Sequence, residues 1–252
     1  MGSLIAVGNL KGGTGKSTIA VNLACALADA GDTVILVDAD LQGTATDWQA
    51  GGNLPVPVET LPLSSELDAQ RWVARALNLK AAADHVVVDL PPQIGSGIAS
   101  ALLIADLLMI PVTPSGLDLK ATGRALDLLR RARAVRGGHR PACMLVPSRV
   151  DRRTVIGRRI HEILEGFGLR VGPAVRQRSA HVEAFNAGTW IGVHAPGSPG
   201  HREVRVLKDR VLELLAETGI PVRRPLAAAG AEAAASSGLP LMPQPGTVSP
   251  LS

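Results

Sequence analysis

Leu4-Ile5-Ala6-Val7-Gly8-Asn9-Leu10-Lys11-Gly12-Gly13-Thr14-Gly15-Lys16-Ser17-Thr18 is the stretch on which the reading of this chain turns. Its first four residues form an unbroken aliphatic run, the pattern of a strand buried on both faces. Glycines follow at once. From Lys16 to Ala30, Ile19, Leu23, Ala26 and Leu27 recur at the spacing of one helix face, and Gly31 supplies a stop. Strand, glycine-rich turn and helix in this order make an anion cradle. Without a Cβ, Gly12, Gly13 and Gly15 let backbone N–H groups turn inward toward phosphates. A helix starting near Lys16 aims the positive end of its dipole at the same anion. Lys16 is then placed to reach the β- and γ-phosphates and the Ser17 hydroxyl to ligate Mg²⁺, with Thr14 and Thr18 completing the loop. The match to G-x-x-x-x-G-K-S/T is not strict: Leu10 stands where the first glycine belongs, and a second lysine, Lys11, opens the loop.

Working outward, Val34–Val37 reads as a second buried strand ending in Asp38 and Asp40, and Val86–Val88 as a third ending in Asp89. Leu107–Val112 and Cys143–Val146 are a fourth and fifth, with helices expected over residues 67–83 and 119–135. Aliphatic strands separated by helices predict an α/β fold, a doubly wound, mostly parallel sheet covered on both faces. Asp89 stands where a Walker B carboxylate holds Mg²⁺ through water. Asp40, on the carboxyl edge where open α/β sheets bind ligands, is a second candidate for the metal and for orienting the attacking water; helix capping is the alternative for either carboxylate.

Residues 53–65 hold three prolines and read as loop. Past Val150 the pattern loosens, with helices expected over residues 155–167 and 203–217. Residues 225–252 are rich in Ala, Pro, Gly and Ser with one charge, Glu232, and read as a disordered tail after a single domain spanning 1–224. A net charge of +4 is compatible with polyanionic partners without requiring them. Cys25 and Cys143 show no metal or redox spacing, and both sit in apolar contexts as small core residues. The sequence shows no signal peptide or membrane span, so a soluble, cytoplasmic protein is expected.

With these residues in view, the chain resembles the ParA/MinD family of deviant Walker A ATPases. The resemblance rests on Lys11-Gly-Gly-Thr-Gly-Lys16-Ser17-Thr18, Asp38-Ala-Asp40-Leu-Gln42-Gly43 and Val88-Asp89-Leu-Pro91-Pro92, and extends with decreasing strength to about Leu215. It implies a Mg²⁺-dependent ATP hydrolase that is slow and partner-stimulated. Lys11 looks like the family's signature lysine, crossing to the nucleotide of a second subunit, so that ATP promotes a homodimer. Facing triphosphates need cations from both sides, which makes the arrangement physically coherent. Asp40 would help place the hydrolytic water. Many relatives carry an adenine-reading Asn where this chain has Ser148 and Arg149, and Arg149 is the candidate to stack on the base instead.

The branches of the family differ in what the dimer binds. The end of this chain lacks a basic amphipathic helix, which argues against a MinD-like membrane regulator. The cysteines do not suit an iron–sulfur carrier, and the absence of tyrosine excludes a tyrosine-cluster kinase. A metabolic P-loop enzyme of the same fold is a further alternative. The ParA-like branch remains, whose dimers bind DNA without sequence preference on the nucleoid and position a cargo through an adaptor, ParB-like or cargo-specific. Arg202, Arg205 and Lys208 lie off an apolar helix stripe, Arg152 and Arg153 lie near Arg158 and Arg159, and Arg176 and Arg178 form a third basic cluster. These are the DNA-binding candidates, against the plain alternative of solvated surface.

Overall fold

Ser3–Val7 forms strand β1, and in the computed structural model its side chains alternate between two hydrophobic layers: Ile5 and Val7 enter one, Leu4 and Ala6 the other. The structure describes residues 2–63, 66–92 and 96–220. The expected tail from residue 225, and the expected domain end at 224, lie outside them. After β1 come α1 (Lys16–Asp29), β2 (Val34–Asp38), α2 (Thr44–Gln49), β3 (Val58–Thr60), α3 (Glu66–Ala82) and β4 (His85–Asp89). The middle of the chain supplies α4 (Ser96–Ile104), β5 (Leu107–Val112), α5 (Gly116–Arg136), β6 (Ala142–Val150) and α6 (Val155–Glu165). Then follow β7 (Arg170–Val171), β8 (Val175–Arg176), α7 (Ser179–Asn186), α8 (Ile191–His194) and α9 (Pro199–Glu217).

The strands lie in the order β3-β2-β4-β1-β5-β6-β7, with β8 also pairing with β6, and every pairing is parallel. This is the doubly wound α/β fold expected from the sequence. The chain leaves β1 toward β2 and β4 on one side, and β5 and β6 lie on the other, so β1 ends at the point where strand order reverses. Open sheets bind ligands at such a switch point. Register sharpens it: Val7 lies beside Asp89, and Asp89 beside Asp38, so the end of the central strand and two carboxylates share one level of the sheet.

One face of the sheet is covered by α1, α8 and α9, the other by α3, α4, α5 and α6. Cys25 and Cys143 are free and buried, and burial pushes both thiols up to about 12, which leaves them as core residues rather than redox groups. At the edge opposite the glycine loop, Asp106 accepts a hydrogen bond from the Leu4 backbone N–H at 2.8 Å and ion-pairs with Lys80 at 2.5 Å. That buried carboxylate pins the start of β1.

Several elements differ from expectation. The proline-bearing stretch contains the edge strand β3, because Val58–Thr60 pairs with β2 while Pro55 and Pro57 precede it. Helix α5 begins three residues earlier than its apolar pattern, since the Ser115 hydroxyl accepts the Asp118 N–H at 3.2 Å and caps the helix. In the loosely patterned region past Val150, β7 and β8 have two residues each, too short to show a period.

The segment around α2 is joined to the turn between α7 and α8. Trp48 donates its indole N–H to the Thr189 carbonyl at 2.7 Å and meets Phe185 edge-on at 5.1 Å. Gly51 and Gly188 touch backbone to backbone there: a Cβ on Gly51 would lie 2.5 Å from the Cα of Gly188, which itself has φ +61°. Gly51→Ala should therefore destabilise the chain by about 1–3 kcal/mol in urea unfolding. An unchanged midpoint would show that the contact yields freely.

Candidate functional site

Between β1 and α1 the chain makes a turn that only glycine tolerates at two positions. Gly13 has φ 76° and Gly15 φ 85°, both in the left-handed region disfavoured for residues with a Cβ. A Cβ on Gly15 would also lie 2.7 Å from the Ser148 hydroxyl. The loop is held from outside by Arg149, whose guanidinium donates to the Gly13 carbonyl at 2.9 Å. Arg149 itself has φ 51°, the left-handed non-glycine residue among those described. Thr14 is buried inside the loop, Gly12 lies exposed at its crest, and Thr18 sits in the first turn of α1.

Lys16 opens α1 and is buried, 7% exposed. Burial lowers its pKa, while the charges of Asp89 and Asp40 work in the opposite direction. Asp89 is fully buried, and burial pushes its carboxyl up to about 7. The nearby Ser17 hydroxyl and Lys16 pull that value down, whereas Asp38 and Asp40 raise it further. Ser17 does not reach good hydrogen-bond geometry, and both Asp89 oxygens are buried without a hydrogen-bond partner. An orphaned buried carboxylate beside a serine hydroxyl is an all-oxygen donor set suited to Mg²⁺. Among the described residues no group of three or more His, Cys, Asp or Glu gathers for a metal. A magnesium ion held here would complete its shell from phosphate and water, as Mg²⁺ does in nucleotide sites.

The two carboxylates after β2 have different employment. Asp38 is fully buried and engaged at both oxygens: one accepts the Asp40 N–H at 3.2 Å, the other the Thr46 N–H and hydroxyl at 2.8 and 3.0 Å. It holds the turn into α2. Asp40 is half-buried, accepts only the Gln42 N–H at 3.0 Å, and keeps capacity for another partner. Lys11 lies on the rim, 40% exposed, with its ammonium ion-paired to the buried carboxylate of Asp118.

A cleft of about 420 Å³ runs from Gly15 and Thr18 past Arg149 to Gln177 and His181. Arg176 and Arg178, grouped by sequence with the DNA candidates, line this cleft and share Glu203, at 3.5 and 2.5 Å. Gln177 and His181 carried no sequence signal; they reach the loop only because β8 pairs with β6. Of the remaining DNA candidates, Arg153 is engaged by Asp151 at 2.7 Å, Lys208 by Asp209 at 2.9 Å, and Arg202 by the Gly197 carbonyl. Arg152 and Arg205 project into solvent.

With a folded-state pKa near 7, Asp89 carries an uncompensated buried charge above that pH in the ligand-free chain. The burden is relieved as pH falls through the folded pKa and the folded state takes up a proton. Without nucleotide or metal, Asp89→Asn should melt several degrees above the native chain at about pH 8, with the gap shrinking below the folded pKa and closing toward about pH 4, where the unfolded carboxyl is protonated as well. Calorimetry giving equal melting temperatures at the higher pH would mean that the charge is already compensated.

Comparison with known proteins agrees with this geometry. The chain is 33% identical over 218 residues to maintenance of carboxysome distribution protein A of Halothiobacillus neapolitanus, covering 84% of this chain and 94% of that one. It is 28% identical over 240 residues to the chromosome-partitioning ATPase Soj of Thermus thermophilus, covering 84% and 96%. Among solved structures, a chain of the MinC:MinD cell division protein complex of Aquifex aeolicus shares the fold, with a TM-score of 0.69 at 19% identity over 89% of this chain and 99% of that one. Residues 5–189, from the middle of β1 to the turn before α8, match the CobQ/CobB/MinD/ParA nucleotide binding domain, and the chain belongs to that family.

Proposed function

We propose that this chain is a ParA-like positioning ATPase: with ATP and Mg²⁺ it forms a homodimer that binds DNA without sequence preference, and hydrolysis stimulated by an adaptor releases it. The observation that carries the reading is the two-lysine loop, with Lys16 buried against the orphaned Asp89 and Lys11 on the rim. The names of two relatives, one for carboxysome distribution and one for chromosome partitioning, support the positioning class.

In this reading the N–H groups of Gly12–Gly15 and the Lys16 ammonium take the phosphates. Ser17 and Asp89 would hold Mg²⁺, the carboxylate through water, and the ion would supply positive charge to offset that of the phosphates. Asp40, partly exposed and with a free acceptor position, orients the attacking water, whereas Asp38 is fully buried and holds the turn into α2. The base lies in the cleft beside Arg149. Lys11 crosses to the nucleotide of the second subunit.

Arg152 and Arg205 are the residues best placed for DNA, since they are exposed and engaged by no carboxylate in the described structure. Arg153, Arg202 and Lys208 would have to exchange internal partners first, and Arg176 and Arg178 would act from the cleft wall. No helix among the described residues is long and apolar enough to cross a membrane. Nucleoid association in the cytoplasm fits the reading.

Lys16→Ala should abolish detectable ATP binding in isothermal titration; retained tight binding would remove the phosphate-loop assignment. Binding to a random-sequence DNA duplex should require ATP, fail with ADP, and weaken steeply with salt. Arg152→Ala with Arg205→Ala should lower both the affinity and the salt slope, by about one unit per lost phosphate contact. Absence of binding in every nucleotide state would exclude the DNA-tethered class.

A further inference from the structure

Lys11 does not wait free on the rim. Its ammonium is ion-paired with Asp118, whose side chain is 1% exposed. Asp118 is the third residue of α5, and its own N–H is taken by the Ser115 cap, so the position of its carboxylate is set by the helix start. The Oδ1 that meets Lys11 accepts no hydrogen bond from any other group. Lys11 is asymmetric in this respect: 40% of its side chain is exposed, so it can leave toward solvent, whereas Asp118 cannot follow. Departure of the lysine strips a buried carboxylate of its counter-charge, which is strongly unfavourable.

We propose that Asp118 is the positioning residue for Lys11: it holds the lysine against its own subunit when the site is empty and thereby sets the threshold for nucleotide-driven dimerisation. The inference rests on the reading of Lys11 as the lysine that crosses between subunits. Lys11 leaves Asp118 only when a stronger anion, the triphosphate of a second subunit, is offered; a diphosphate, with less charge at the far end, is the weaker competitor. The exchange makes the dimer depend on the state of the nucleotide and raises the protein concentration needed to form it.

The test is the concentration at which the chain dimerises with ATP under hydrolysis-blocking conditions, read by analytical ultracentrifugation. Asp118→Asn should lower that concentration about tenfold, and Asp118→Glu, which keeps the charge, should stay near the native value. The Asn effect should vanish in a Lys11→Ala background. Lys11→Ala that still dimerises normally would sink the crossing-lysine reading itself. Lys11→Ala that fails to dimerise, together with Asp118→Asn at the native threshold, would overturn the Asp118 proposal alone. A threshold lowered equally by Asp118→Glu would overturn it too, by assigning the effect to packing rather than charge. Should Asp118→Asn fail to fold, the native chain gives the answer: in nucleotide-free protein, acylation by an amine-selective reagent should be several-fold slower at Lys11 than at the exposed Lys120. Equal rates at the two lysines would overturn the proposal.

Discussion

The parallel pairing of β4 between β1 and β2 is the constraint from which the rest of the site follows. It sets Asp89 level with Val7, the last residue before the glycine loop, and with Asp38 on the next strand. The loop then turns back over this edge and delivers Lys16, on the first turn of α1, to the buried carboxylate. A lysine and an aspartate are both buried here, and the carboxylate oxygens lack a hydrogen-bond partner, which is costly unless other groups offset it. The unfavourable burial is tolerated because the surrounding sheet is a closely packed aliphatic layer on both faces.

That layer has few aromatic side chains to work with, and the chain uses them at joints rather than in the centre. Trp48 closes α2 onto the segment before α8, and Trp72 of α3 donates its indole N–H to the Leu61 carbonyl at 2.9 Å, fixing the strand after Asp38. Asn22, buried in α1, accepts the Ile191 N–H at 3.0 Å and so ties the helix that follows the phosphate loop to the C-terminal third of the described chain. The cleft beside the loop is therefore built by residues far apart in sequence, held by a small number of buried polar contacts on an otherwise apolar frame.

Charge is distributed with similar economy. Several arginines of the second half have a carboxylate at hand: Arg153 with Asp151, Arg159 with Glu162, Arg170 with Glu217, Arg176 and Arg178 with Glu203, and Arg210 with Glu213. Exposed pairs of this kind contribute little to stability, and they screen the basic surface that the composition suggests. A positive count is thus a poor guide to where a polyanion binds. At the loop the logic is different, because Lys11 is paired with a carboxylate that is itself buried, and a buried partner is costly to leave unpaired.

The sequence by itself determined the class of fold and the anion cradle. Unbroken aliphatic runs such as Val86–Val88 can satisfy their side chains only inside a two-faced sheet, and the glycines around Lys16 are required by backbone geometry that no longer-range contact can replace. Asp40 and Asp89 were legible for the same reason, since a polar residue ending a buried strand has one edge to occupy. The two-residue strands β7 and β8 and the short α2 left no periodic trace, and the start of α5 was hidden by a cap whose partner is a backbone N–H. The sharing of Glu203 by Arg176 and Arg178, the clasp of Arg149 on the Gly13 carbonyl, and the hold of Asp118 on Lys11 were decided only by the tertiary structure. Each joins residues at least 25 positions apart, and the energy of such a pair depends on burial and distance, quantities that exist only once the sheet has brought them together.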